Sequence, residues 1–188
     1  MPSTTTSLDI TVLCGNPRRD SRTLAVAERV ADALADAVAT EELHTSRSTI
    51  DLASLGDGVL DPAAIPVGEA LVTVRSSHLL VVATPVYKGS YTGLLKMFLD
   101  ELPHRALDGV TAVPVTVQGA PDHLLAVDVH LRPLLVELGA AVPTRAVALL
   151  EEQLTAVGPD PVRVWADAQA SLALQSARSR ATPREAVA

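Results

Sequence analysis

The sequence predicts an α/β fold of the doubly wound kind, a parallel sheet with helices on both faces, and three observations carry that expectation. Short apolar runs that read as strands alternate with longer stretches whose apolar residues return every three or four positions. The run Leu79 to Ala83 (LLVVA) is apolar throughout, as a strand covered on both faces must be. The spacing of the runs suits right-handed crossover units, and no repeat, low-complexity block or linker divides the chain.

The elements follow in order. Leu8 to Leu13 (LDITVL) reads as the first strand and stops at the turn-forming Cys14-Gly15-Asn16-Pro17. Leu24, Ala27, Val30, Ala31, Leu34 and Val38 mark a helix that Asp20 or Ser21 can cap. Glu42 to His44 and Thr49 to Leu52 are expected in a short second strand, with polar Thr45-Ser46-Arg47-Ser48 blurring its limits. From Asp61-Pro62, apolar Ile65, Ala70, Leu71 and Val74 suggest a second helix. After LLVVA comes a loop, Thr84 to Ser90, and Thr92 can cap a helix from Gly93 to about Leu102, ended by Pro103. Val110 to Val117 reads as the fourth strand and Gln118-Gly119-Ala120 as a turn. Pro121 to Leu138 is expected as one helix closed by Gly139, Val142 to Leu149 as the fifth strand, and Asp160 to about Ala177 as the last helix. Residues 8–177 then form one domain between a flexible N-terminus, 1–7, and a flexible tail, 178–188.

Composition narrows the function. Among 188 residues, 15 Lys and Arg face 22 Asp and Glu, a net charge of −7. Without a basic cluster, general nucleic-acid binding is not expected. No stretch approaches the roughly 18 apolar residues of a membrane span, and a single cysteine, Cys14, suits a reducing cytoplasm. Hydrophobic residues reach 48 %, yet there are only one Phe, one Trp and two Tyr, so Ala, Val and Leu must pack the core.

In an open parallel sheet, ligands bind at the carboxyl ends of the strands, and three loops leave such ends here. Gly15 to Thr23 joins strand one to a helix N-terminus and offers Asn16, Arg18, Ser21 and Thr23, a set suited to a phosphate. It lacks both the Gly-Lys-Ser/Thr ending of a Walker loop and the Gly-x-Gly-x-x-Gly pattern of dinucleotide folds. The loop after the buried strand carries Pro85, Val86, Tyr87, Lys88 and Gly89, whose backbone and ring can line a flat heterocycle. Both lysines of the chain, Lys88 and Lys96, fall in this segment, against thirteen arginines overall. The third loop brings Gln118 and Gly119, able to meet a carbonyl-rich ring edge. His123 and His130, seven apart on one expected helical face, lack a third ligand, so no metal is assigned. Cys14 reads as a small buried hydrophobe, and no Gly-x-Ser-x-Gly turn or other nucleophile stands out.

The quoted loops resemble a known family. Gly15-Asn16-Pro17-Arg18-Arg19-Asp20-Ser21-Arg22-Thr23 is similar to the G-S-P-R-x-x-S-x-T phosphate loop of NAD(P)H-dependent FMN reductases, with Asn16 in place of Ser. Thr84 to Lys96 (TPVYKGSYTGLLK) resembles their flavin-ring loop and the helix after it, the more specific of the two matches. The resemblance covers about residues 8 to 150. With His123-Leu124-Leu125-Ala126-Val127-Asp128, it is nearest to the branch that supplies reduced FMN to sulfonate-type monooxygenases.

It implies a flavodoxin-like sheet of five strands in the order 2-1-3-4-5 and a homodimer or homotetramer. It also implies FMN and NADPH or NADH as ligands, with a flavin-dependent monooxygenase as partner. Asn16, Arg18, Ser21 and Thr23 would bind the phosphate; Pro85, Val86, Tyr87, Lys88, Gly89, Gln118 and Gly119 would face the isoalloxazine. Where some relatives carry a Tyr linked to a helix bulge and subunit packing, this chain has Val129 and His130. Hydride would pass from nicotinamide C4 to flavin N5, a step requiring no side-chain acid or base, so no catalytic residue is assigned. The alternatives are a reductase of quinones, azo dyes or metal oxyanions that retains its flavin, and a non-enzymatic electron carrier.

Overall fold

The computed structural model describes residues 7–39, 44–61 and 63–181. Residues 1–6, 182–188 and Glu42-Leu43 of the expected second strand lie outside the described residues. Five parallel strands, β1 (Ser7–Cys14), β2 (His44–Asp51), β3 (Leu79–Pro85), β4 (Thr111–Gln118) and β5 (Val147–Leu150), lie in the order β2-β1-β3-β4-β5, as expected. Between and after them run α1 (Arg22–Ala39), α2 (Ile65–Ser76), α3 (Gly93–Asp100), α4 (Arg132–Glu137) and α5 (Pro161–Ala181).

Side chains alternate across a strand, and in β3 both sets are buried. Leu79, Val81 and Ala83 belong to one core with α1 and α5, while Leu80 and Val82 belong to the other with α2, α3 and α4. A continuous apolar run is the sequence trace of that double coverage. At the sheet edge β2 is polar, and the expected short strand runs unbroken through Thr45-Ser46-Arg47-Ser48. Backbone pairing along the whole of β1 holds it, and Arg47 pairs with Asp32 of α1. Polar, charged residues at an edge also discourage pairing with a further strand.

Three expected elements come out differently. Pro121 to Leu138 is not one helix but a 3₁₀ turn (Pro121–His123), a π-helical turn (Val127–Leu131) and α4. Pro133 supplies the reason, because it has no N–H to donate to Val129 and its ring would strike that carbonyl in α geometry. The helix widens just before it, and the Arg132 N–H donates to the Val127 carbonyl, a five-residue step. The break also takes His123 and His130 off any one continuous helical face. β5 begins at Val147, not Val142, because the Arg132 guanidinium takes the carbonyls of Val142 (2.8 Å) and Thr144 (3.0 Å) and Pro143 has no donor. Finally, α5 runs on to Ala181, past the expected end near Ala177.

Gly15 sets the end of β1 against α3. Its N–H donates to the Ala83 carbonyl (2.8 Å) and its own carbonyl accepts from the Thr92 hydroxyl (2.5 Å). A Cβ there would lie 2.5 Å from Leu95 Cβ. We therefore expect Gly15→Ala to destabilise the fold by about 1–3 kcal/mol through overpacking. Gly93→Ala, whose Cβ meets nothing within 4 Å, should stay within about 0.5 kcal/mol of the parent. Urea unfolding of the two variants side by side checks this, and equal effects would refute it.

Candidate active site

A cleft of about 290 Å³ opens at the carboxyl ends of β1, β3 and β4. It gathers Asn16, Arg18, Ser21 and Thr23 from the first loop, Pro85, Val86 and Tyr87 from the second, and Gln118 and Gly119 from the third. Arg19, Asp20, Arg22, Val117 and Glu151 complete its lining and are not singled out by the sequence. A wider, more open depression of about 590 Å³ lies beside the start of β5, lined in part by Arg132, Thr144 and Gln169, and holds none of these loop residues.

The first wall is braced from within. Asn16 is buried; its Oδ1 accepts from the Arg18 N–H (2.9 Å) and its Nδ2 donates to Thr23 Oγ1 (3.0 Å). The amide places acceptor and donor on two separate atoms and so reaches both Arg18 and Thr23, where a serine would have one oxygen on a shorter side chain for both. Ser21 Oγ accepts from the Leu24 N–H (3.2 Å) and caps α1, whose positive end faces the cleft. The three arginines differ in what they do. Arg18 is exposed and has no side-chain partner among the described residues. Arg19 donates to the carbonyls of Ala53 (3.2 Å) and Ser54 (3.3 Å), tying the loop to the 3₁₀ segment Leu52–Leu60. Arg22 pairs with Glu151 at 3.1 Å.

The second wall is a tight hairpin. Tyr87 and Ser90 exchange backbone hydrogen bonds of 2.9 and 3.2 Å, while Lys88 (φ 54°) and Gly89 (φ 77°) occupy the tip. Two positive φ angles in sequence define a type I′ turn. Lys88 and Gly89 therefore stand outside the cleft lining, whereas Tyr87, 45 % exposed, stands in it. Thr84 braces the base, its hydroxyl donating to the Pro85 carbonyl (2.9 Å) and accepting from the Thr92 N–H (3.1 Å).

The third wall carries the least satisfied group. Gln118 is 1 % exposed, yet neither its Oε1 nor its Nε2 has a hydrogen-bond partner among the described residues. Buried amides are normally paired, and each orphaned polar group costs about 1–3 kcal/mol. Cys14, beneath the first loop, is different: burial above all pushes its thiol up to about 11, so it stays protonated at neutral pH and serves as packing.

A protein-family model described as NADPH-dependent FMN reductase matches residues 8–154. The chain is 33 % identical over 132 residues to the NADH-dependent FMN reductase SfnF of Pseudomonas putida, covering 69 % of this chain and 70 % of that one. It is 54 % identical over 61 residues to FMN reductase (NADPH) of Escherichia coli, a match covering 32 % of each chain. The solved apo structure of an NADH:FMN oxidoreductase, EMOB, superposes with a TM-score of 0.79 at 30 % identity over 94 % of this chain and 91 % of that one. The cleft suits such a ligand: cationic and N-cap donors on one wall match a phosphate, and an unpaired amide on another matches a ring edge bearing carbonyl and N–H groups.

The orphaned amide makes a test in the ligand-free protein. We expect Gln118→Met, which keeps the volume and deletes both polar atoms, to raise stability by about 1–2 kcal/mol. Chemical denaturation measures it, and a loss of stability would show that the amide is held by a partner in the free protein.

Proposed function

The chain belongs to the NADPH-dependent FMN reductase family and is an oxidoreductase that uses FMN with NADPH or NADH, and from that premise we propose that it releases reduced FMN to a flavin-dependent monooxygenase. The observation that carries this reading is how little aromatic surface the cleft offers. Tyr91 packs against the core, which leaves Tyr87 as the one aromatic side chain on the lining. Stacking then contributes little and the phosphate end supplies most of the affinity, which suits a ligand that leaves.

In this reading α1 and the side chains of Arg18, Ser21 and Thr23 receive the phosphate, and Asn16 holds them in place. Pro85, Val86, Tyr87, Gln118 and Gly119 meet the ring. Lys88 and Gly89 act through the turn that positions Tyr87. The flavin supplies the chemistry, accepting the hydride given up by the reduced nicotinamide. The protein's part is to bind the flavin by one end and leave a ring face open to the second substrate. Exposed Leu125 (70 %), Val129 (59 %) and Val136 (54 %) along the broken helix support a homodimer or homotetramer. No described helix is long and apolar enough to cross a membrane, which accords with the cytoplasmic location we propose.

Two outcomes are expected. Arg18→Ala should weaken FMN about ten- to a hundredfold while leaving riboflavin unchanged, since a charge-assisted contact of about 1.5–3 kcal/mol touches only the phosphate. Equal losses for the two flavins, measured by fluorescence quenching, would remove Arg18 from the site. The purified protein should also be nearly colourless and should oxidise NADPH or NADH at a rate that saturates with added FMN. Stoichiometric flavin surviving dialysis, with turnover that needs a quinone or dye but no added FMN, would favour the retained-flavin reductase instead.

A further inference from the structure

The charges of the cleft are not all available to a ligand. Arg19 is committed to two backbone carbonyls, Arg18 has no side-chain partner among the described residues, and Arg22 lies 3.1 Å from the carboxylate of Glu151. Arg22 opens α1 and Glu151 follows directly on β5, so strand and helix ends from opposite sides of the cleft meet through this pair. The two side chains are 64 % and 47 % exposed, so the pair adds little to fold stability. Its effect falls on the cleft, where an anion of the protein occupies a cation that a bound phosphate would otherwise engage. Asp20, also on the lining, adds a second negative group to the same cleft.

Resting on the reading that this cleft takes the FMN phosphate, we propose that Glu151 is an affinity-setting residue, an internal competitor for Arg22. When the phosphate arrives, Arg22 exchanges a carboxylate for it, so the net gain is the difference between two ion pairs rather than one whole pair. When the flavin leaves, Glu151 retakes Arg22 and the cation is not left bare. The exchange lowers FMN affinity and speeds release. It also explains how a loop with three arginines can belong to a protein that gives its flavin away. Riboflavin, without a phosphate, does not draw Arg22 off Glu151 and should not sense the carboxylate.

The test is equilibrium and stopped-flow binding of FMN and riboflavin to the parent, Glu151→Gln, Arg22→Gln, the double variant and Arg18→Ala, each checked by thermal melting. Glu151→Gln should bind FMN about three- to fivefold tighter at low salt, with a matching fall in the dissociation rate, and bind riboflavin as before. In the Arg22→Gln background the same change should give no gain. Unchanged or weaker FMN binding, an equal shift for riboflavin, or a full gain without Arg22 would each overturn the proposal. The control separates the two levels. If Arg18→Ala distinguishes FMN from riboflavin while Glu151→Gln does nothing, only the competition fails. If Arg18→Ala does not distinguish them, the placing of the phosphate in this cleft fails first.

Discussion

The site depends on one close approach, that of the Gly15 backbone to the start of α3. No side chain fits between Gly15 and Leu95, and that contact lets the end of β1 sit beside the end of β3. Three hydrogen bonds lock it: Gly15 to Ala83, Thr92 to Gly15, and Thr92 to Thr84. Thr92 serves twice, since its hydroxyl also accepts from the Leu95 N–H (3.1 Å) and so caps α3. The loop with the cationic groups and the loop with Tyr87 are thereby fixed to each other, not merely to the sheet. A ligand that bridges them meets a preformed frame, and little ordering has to accompany binding.

What can be read from the sequence follows from where the information is local. The double coverage of β3 shows as an unbroken apolar run, the cap of α3 as Thr92, and the first loop as a cluster of donors before a helix. Nine of the eleven residues assigned to the ligand line a single cleft. The π-helical turn has a local signal, Pro133, which the apolar periodicity of Pro121 to Leu138 passes over, whereas the late start of β5 escapes such a reading because it is set by groups distant in sequence. Arg132 takes two carbonyls ten and twelve residues away, and no periodicity displays that. β2 is blurred for the opposite reason: an edge strand needs only a neighbour's backbone, so its side chains carry no alternating pattern. Glu151 gives no sequence signal because its place in the cleft depends on where β5 ends.

The buried amide of Gln118 shows how such a site differs from the core around it. The core is built almost wholly from Ala, Val and Leu, with Phe98 as its one fully buried aromatic residue among those described, and its backbone polar groups are taken up by helices and the sheet ladder. Side chains keep that rule less strictly: the buried Thr116 and Thr144 each leave a hydroxyl without a partner among the described residues, and Gln118 at the end of β4 leaves both atoms of its amide. Native proteins tolerate such a cost where a ligand will later satisfy the group. The same scarcity of aromatic residues reaches the cleft wall, where a glycine-dependent turn presents a single tyrosine.

These features bear together on how tightly a flavin can be held. Affinity for a ligand with an anionic end and a flat ring comes from charge at one end and stacking at the other. The ring end is thinly covered, so charge must decide. On the wall proposed for the phosphate, Arg18 has no side-chain partner among the described residues, Arg19 is committed to the protein's own carbonyls, and Arg22 already has a carboxylate beside it. A site selected only for tight retention would leave all three open to the phosphate and place more than one aromatic ring on the wall. This chain does neither, although all three of those arginines lie on the one loop. In the reading proposed above, that arrangement lets the site recognise the phosphate without depending on every available contact, so that the flavin can leave after reduction.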